Sequence, residues 1–179
     1  GENNDNISVG AVEGSTNSEN YIETGDGIDK IILRGQNNTV SSGNGNDQIL
    51  VYGINNYADG GAGVDELHVY TSGNTIKGGA GADYFIMERN SLSEVHIEDF
   101  SISDKDQLLI YYSTTSGSFS GNSVTFGNTK IYLDNAEYLA DFLDMSIYLQ
   151  STQKSTTLRN FFNVERFSWN EGTYNFAVA

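Results

Sequence analysis

The chain has 179 residues, enough for one domain or a closely joined pair, and its 24 acidic against 9 basic residues give a net charge of −15. That balance argues against nucleic acid and anionic membranes as partners. There is no cysteine, so no disulfide staples the chain, and no apolar run approaches membrane-spanning length.

Residues 1–19 open with Gly1-Glu2-Asn3-Asn4-Asp5-Asn6-Ile7, a degenerate copy of a turn that recurs further on. Asp5 lies 24 residues before Asp29, six more than the later period. Two readings stand: a first coil with a bulging loop at Val12–Ser18, or a residue that only caps the repeats behind it. The N-terminus begins in this repeat-like segment with no signal peptide, so the chain reads as the C-terminal piece of something larger.

Residues 20–87 repeat one unit. Thr24-Gly25-Asp26-Gly27-Ile28-Asp29, Ser42-Gly43-Asn44-Gly45-Asn46-Asp47, Gly60-Gly61-Ala62-Gly63-Val64-Asp65 and Gly78-Gly79-Ala80-Gly81-Ala82-Asp83 place their final aspartates 18 residues apart. Two residues after each aspartate stands a large apolar side chain, Ile31, Ile49, Leu67 or Phe85. Glycine at the second and fourth positions admits backbone conformations that a Cβ forbids, so carbonyls can turn toward one point where the aspartate adds a carboxylate. An anionic shell made only of oxygen suits Ca²⁺, and no sulfur is present to favour a softer metal. One turn supplies about half of such a shell, so an ion must sit between stacked turns. Without a cation, four carboxylates would form a column about 4.8 Å apart, the strand spacing, with nothing to neutralise them.

Midway between these turns fall Asn20, Asn38, Asn56 and Asn74, each followed two residues later by Ile22, Val40, Ala58 or Ile76. Neutral Asn tolerates left-handed backbone and can stack as an amide ladder, so this edge needs no ion. Strand alternation over Lys30–Arg34, Gln48–Tyr52, Glu66–Tyr70 and Tyr84–Glu88 points Ile31/Leu33, Ile49/Val51, Leu67/Val69 and Phe85/Met87 inward. It leaves Ile32, Leu50, His68 and Ile86 outward, flanked by Tyr52 and Tyr70. An apolar outer stripe asks for a cover, and the C-terminal half is the expected one, with a partner protein as the alternative. The opposite outer face (Tyr21, Thr39, Tyr57 and Thr75 beside Glu23, Ser41, Asp59 and Lys77) is polar and irregular.

The unit G-G-x-G-x-D-x-U-x, with U large and apolar, resembles the calcium-binding repeat of the RTX (repeats-in-toxin) proteins. The resemblance is strict over residues 24–86 and looser over 87–112. It implies an all-β, right-handed parallel β-roll of 18-residue coils over residues 1–90, with calcium turns on one edge and Asn turns on the other. In that family each ion lies between neighbouring turns, held by both aspartates and by carbonyls of the first four positions. Carried onto this chain, the carboxylate ligands are Asp29, Asp47, Asp65 and Asp83. The carbonyls belong to Thr24, Gly25, Asp26 and Gly27; Ser42, Gly43, Asn44 and Gly45; Gly60, Gly61, Ala62 and Gly63; and Gly78, Gly79, Ala80 and Gly81. This gives about three ions, and up to five if Asp5 and Asp99 also contribute. Many RTX domains bind ions on both edges; this chain departs from them.

After Met87 the period fails, because Ser101 stands where the next acid is due. Glu94-Val95-His96-Ile97-Glu98-Asp99-Phe100, then Asp104-Lys105-Asp106-Gln107-Leu108-Leu109-Ile110, resembles the segment that comes after the last RTX repeat. From the residues alone it reads as two short strands joined by an acidic turn. Asp99 either supplies a missing half-shell beside Asp83, as the resemblance implies, or is an exposed turn acid. His96 reads as a strand residue without special role. Residues 113–121 read as a flexible loop. Ser123–Phe126 and Thr129–Leu133 flank the tight turn Gly127-Asn128. Asp134-Asn135-Ala136-Glu137 reads as a capping box opening a short helix to about Leu143, with Leu139, Phe142 and Leu143 buried. Gln150 to Thr157 reads as loop. Val164–Trp169, a turn at Asn170-Glu171-Gly172 and Thr173–Ala179 read as a closing hairpin. Residues 91–179 are thus expected to be a β-rich cap packed on the roll.

That last hairpin is similar to segments near the ends of calcium-roll proteins, and the apolar end Asn175-Phe176-Ala177-Val178-Ala179 is similar to those of type I secretion substrates. The resemblance therefore implies a module that folds on calcium outside the cell and carries the export signal of a larger adhesin, S-layer protein or exoenzyme. Its partners would be calcium and the type I secretion machinery. The alternative is a polysaccharide- or cell-envelope-binding module, as in some alginate epimerases, with Tyr52 and Tyr70 as surface candidates. With two histidines, no cysteine, no H-E-x-x-H and no G-x-S-x-G, the chain offers no nucleophile–base pair, so no catalytic role is expected.

Overall fold

The computed structural model describes residues 1–10, 19–89, 92–111, 117–120, 122–135, 145–149, 153–157, 164–170 and 173–178. Strand β1 (Asn6–Val9) is followed by four coils that each give one strand to each of two sheets. Turning past the asparagines, the chain enters β2 (Tyr21–Asp26), β4 (Thr39–Asn44), β6 (Tyr57–Ala62) and β8 (Asn74–Ala80); past the aspartates it enters β3 (Lys30–Leu33), β5 (Gln48–Val51), β7 (Glu66–Val69) and β9 (Tyr84–Met87). Neighbouring strands of these coils are parallel, and Ile31, Ile49, Leu67 and Phe85 stand in one row. This is a parallel β-roll.

The period of two within each short strand decides what lies inside. Ile31/Leu33, Ile49/Val51, Leu67/Val69 and Phe85/Met87 are completely buried, and Val40, Ala58 and Ile76 meet them from the other sheet. Removing each larger side chain from water contributes about 1.5–3 kcal/mol, so the rows hold the sheets together while leaving their edges free for chemistry. Strand β1 pairs in parallel with β3, Asn6 opposite Lys30. The segment after Asp5 therefore stacks on the roll as a further strand, and the bulging loop expected at Val12–Ser18 lies outside the described residues.

The sheets continue beyond the repeats. Strand β10 (Val95–Ile97) adds to β8, and β11 (Gln107–Ile110) adds to β9, both in parallel. The two strands expected at 94–110 exist but belong to opposite sheets, so residues 98–106 cross the aspartate edge as a longer turn. On one side come β12 (Gly117–Ser120), β13 (Ser123–Phe126) and β14 (Thr129–Leu133), with β14 parallel to β10 and the β13–β14 hairpin turning at Gly127 (φ 59°) as expected. On the other, β15 (Ser146–Leu149) is parallel to β11 and β16 (Lys154–Thr157) antiparallel to β15. Each sheet thereby reaches eight strands. Strands β17 (Val164–Asn170) and β18 (Thr173–Val178) pair antiparallel by themselves, as the closing hairpin expected.

Two expectations need correcting. Gly117–Ser120 and Lys154–Thr157, read as loop, are strands. Both are Ser/Thr-rich segments that complete a sheet edge, where pairing of the backbone with β13 or β15 supplies the order that side-chain alternation does not announce. The helix expected after Asp134 falls on residues 136–144, outside the described residues; Asp134 and Asn135 form a turn. No helix occurs among the described residues, and none is long and apolar enough to cross a membrane.

Candidate metal centre

At the aspartate edge the glycines are required by space as well as by dihedral angle. Gly45 and Gly63 both have φ of +138°, and a Cβ on either would lie 1.5 Å and 1.8 Å from the carbonyl oxygens of Gly27 and Gly45. The second glycines behave alike: a Cβ on Gly43 or Gly61 would meet the carbonyl oxygens of Gly25 or Gly43 at 2.2 and 2.1 Å. Carbonyls of the second and fourth positions therefore turn toward the next coil. The third-position carbonyls of Asn44, Ala62 and Ala80 accept the amides of Gly27, Gly45 and Gly63 in the preceding coil. The hydroxyls of Thr24 and Ser42 donate to the carbonyls of Ser42 and Gly60, each at 2.6 Å.

The aspartates form a one-way ladder. The amides of Asp5, Asp29, Asp47 and Asp65 donate to Oδ1 of Asp29, Asp47, Asp65 and Asp83 at 2.7, 2.7, 2.8 and 2.9 Å. Every carboxylate thus leans back across the gap to the coil before it. Its other oxygen, Oδ2 of Asp29, Asp47, Asp65 and Asp83, is buried and has no hydrogen-bond partner. Ser42 lies beside Asp47, but its single proton is directed to the Gly60 carbonyl. The remaining orphan among the described residues, Oδ1 of Asp59, belongs to a carboxylate paired with Lys77 at 2.8 Å.

The asparagine edge is an internal control. The amides of Asn20, Asn38 and Asn56 donate to Oδ1 of Asn38, Asn56 and Asn74 at 3.1, 2.9 and 2.8 Å, the same contact with the same periodicity. Here the second side-chain atom is an NH₂, and Nδ2 of Asn56 and Asn74 donates to the carbonyls of Gly35 and Gly53 at 3.1 and 3.0 Å. The left-handed backbone falls one residue before the asparagines, at Glu19, Asn37, Asn55 and Gly73. One ladder is closed by its own donors; the other holds acceptors alone.

Buried acceptors without donors disfavour ionisation. Burial pushes the Asp65 carboxyl up to about 7, partly opposed by the Asp47 amide and reinforced by the charges of Asp83, Asp47 and Asp59. Asp47 and Asp83 are raised for the same first reason. A bound dication would reverse this balance. No three acidic or histidine side chains converge among the described residues; the shell on offer is two carboxylates per gap plus backbone carbonyls, an all-oxygen set that fits calcium.

Sequence reasoning missed one member of the ladder. Asp106, only 4% exposed, accepts the Asp83 amide on Oδ1 at 2.9 Å, so it occupies the rung where Ser101 breaks the period. The signal was present: Asp106-Gln107-Leu108 keeps the aspartate-x-apolar spacing after a five-residue insertion. Burial raises its pKa to about 6. Asp99 is placed at the same edge, where its carboxylate accepts the amides of Gly78 and Gly79 at 2.9 and 2.8 Å.

On the outer face, Tyr52 and Tyr70 stack on each other at 4.2 Å, with the Arg34 guanidinium 5.6 Å from the Tyr52 ring. The Tyr70 hydroxyl and His68 Nδ1 both reach Oε1 of Glu88, at 3.3 and 2.8 Å. His96 stacks on Tyr132 at 4.6 Å and contacts Asp134 at 2.8 Å. These side chains engage one another rather than enclosing a cleft.

A parallel roll whose one edge is a column of buried carboxylates, each with one oxygen that no hydrogen bond reaches, defines a class: a calcium-binding β-solenoid. Residues 15–49 and 59–86 match the family model of the RTX calcium-binding nonapeptide repeat, four copies. The chain carries an RTX calcium-binding domain over residues 15–86. No curated protein and no solved structure matches the chain.

Proposed function

We propose that this chain is a calcium-operated folding module of an exported protein. Unfolded in the low calcium of a cytosol, it would thread through a type I secretion machinery and fold where calcium is plentiful. The observation that carries this reading is the difference between the two edges. Isosteric ladders run along both, and only the aspartate one is left with buried, donorless oxygens. Ions between Asp29, Asp47, Asp65 and Asp83, about three of them, would supply what the protein lacks, with carbonyls of residues 24–27, 42–45, 60–63 and 78–81 completing each shell.

Because the shell is assembled from separate coils, binding free energy is folding free energy. Extracellular calcium modules commonly have dissociation constants of about 10⁻⁴–10⁻³ M, where such a switch must operate. In this reading residues 1–90 are the roll and residues 91–179 its cap, ending in the export signal. The larger parent is an adhesin, S-layer protein or exoenzyme that works outside the cell or on its surface. The module itself binds and folds and does no catalysis. The test is far-UV circular dichroism during a calcium titration, with calorimetry of the same titration. A chelator-treated chain that is already fully folded, or calcium that leaves the spectrum unchanged, overturns the reading.

A second reading, attachment to polysaccharide or cell envelope through Tyr52 and Tyr70, draws on the paired rings. It is the weaker one, because those ring faces are engaged with each other.

A further inference from the structure

The gaps of the aspartate ladder are alike until the last. In each gap from Asp5 to Asp83 the carboxylate of the later coil has Oδ1 on the amide of the earlier aspartate and Oδ2 buried without a hydrogen-bond partner. Between Asp83 and Asp106 the first contact is repeated, but Oδ2 of Asp106 accepts the amide of Ser101 at 2.7 Å. The insertion that lengthens this turn is what brings Ser101 round to that oxygen. Asp99, on the same turn, has both oxygens on the amides of Gly78 and Gly79. In the sheet those amides face the side on which β10 comes after β8, and β10 ends at Ile97, short of them. Of the other two acids of the turn, Asp104 is exposed and Glu98 accepts the Tyr57 hydroxyl at 3.0 Å.

We propose that cations stop at the gap between Asp65 and Asp83, and that Asp99 and Asp106 close the roll as a metal-free clamp in which backbone amides stand where an ion would. The same criterion assigns an ion to the gap between Asp5 and Asp29, where Oδ2 of Asp29 is orphaned, making four. Physically, an ion in the last gap would meet a carboxylate already holding two amide hydrogens. Charge-assisted bonds of this kind are about twice as strong as neutral ones, so an ion at Oδ2 would compete with the Ser101 amide for electron density that the other gaps leave wholly free. Asp99 and Asp106 are then positioning residues: they hold the last glycine turn and the last aspartate in place and touch no metal. This inference rests on the calcium reading of the other gaps.

The experiment is crystallography of the full chain with terbium replacing calcium, reading anomalous peaks gap by gap. The expected result is a peak in each gap from Asp5–Asp29 to Asp65–Asp83 and none between Asp83 and Asp106. A peak in that last gap overturns the clamp while leaving the calcium reading intact; peaks nowhere overturn the calcium reading itself. In solution, Asp106→Asn should lower the melting temperature in saturating calcium without changing the number of ions bound, whereas Asp83→Asn should lose at least one. Loss of an ion from a folded Asp106→Asn chain also overturns the clamp, and the terbium experiment on the unmodified chain decides the question if that variant does not fold.

Discussion

The amide of Asp29 donates to Oδ1 of Asp47 at 2.7 Å, and the other oxygen of Asp47 is buried and has no hydrogen-bond partner. Half a turn away the amide of Asn38 makes the same contact with Asn56, whose Nδ2 finds the Gly35 carbonyl. The two ladders therefore share one amide-to-side-chain contact and their rungs differ in a single side-chain atom, although the turns that carry them differ in backbone. A protein that can close one edge with amides does not need carboxylates on the other for stacking alone. What the carboxylates add is a column of buried oxygens that the protein's own donors leave open.

Exchanging that atom tests the argument. Asp65→Asn keeps an oxygen for the Asp47 amide and removes a buried charge. The chelator-treated protein should become more stable by about 1–3 kcal/mol, the usual cost of an unsatisfied buried group. In calcium the order reverses, because at least one ion is lost. Urea unfolding with and without chelator, and calorimetric stoichiometry, measure both. An unchanged ion count would mean that Asp65 is not a ligand.

The reverse exchange should not create a site. In Asn56→Asp one oxygen would still accept the Asn38 amide, but the other would face the Gly35 carbonyl, acceptor against acceptor. The turns before Asn38, Asn56 and Asn74 hold one glycine each, against two or three in each aspartate turn, so fewer carbonyls are free to turn toward an ion. The expectation is a loss of about 1–3 kcal/mol in saturating calcium, with stoichiometry unchanged. A gain of one bound ion would show that a carboxylate alone makes the site.

The repeat made the roll legible. Asp29, Asp47, Asp65 and Asp83 at constant spacing fix the coil length, and period-two alternation fixes which of Ile31, Ile32 and Leu33 face inward. What escaped lies where order comes from the end of the sheet instead of from the local pattern. Gly117–Ser120 and Lys154–Thr157 are polar enough to read as loop and become strands because β13 and β15 offer unpaired backbone. Asp106 was hidden by its insertion, which shifts the acid out of phase while β11 keeps register with β9, Leu108 beside Phe85. A strict period detects the repeat and is blind to the turn that ends it.

Close stacking gives a third prediction. Gly63→Ala sets a methyl group 1.8 Å from the Gly45 carbonyl oxygen at a φ of +138°, so the coils must part. The backbone strain alone costs about 1–3 kcal/mol, and the parted carbonyls should weaken calcium binding as well. Val64→Ala, at an exposed neighbouring position, should stay within about 0.5 kcal/mol of the parent. Melting temperature and calcium affinity of the pair separate stacking from general sensitivity of the turn.

Acid should act oppositely on the two states of the roll. In the calcium-free fold Asp65 titrates near 7 and Asp106 near 6, both raised chiefly by burial from an ordinary value of 3.8. Between 3.8 and those values the folded chain holds protons that the unfolded chain has released, so ν_U − ν_N is negative and stability falls as pH rises. The calcium-free roll should therefore be steadier at pH 5 than at pH 7.5, its advantage complete below 3.8 and lost through about 7. Calcium must displace the Asp65 proton, so its apparent affinity should weaken from pH 8 to pH 6, with proton release visible as a buffer-dependent heat of binding. Denaturant unfolding in chelator at the two pH values checks the first half, and calorimetry in two buffers of different ionisation enthalpy checks the second. Affinity independent of pH across that window would mean that Asp65 is already ionised before the metal arrives.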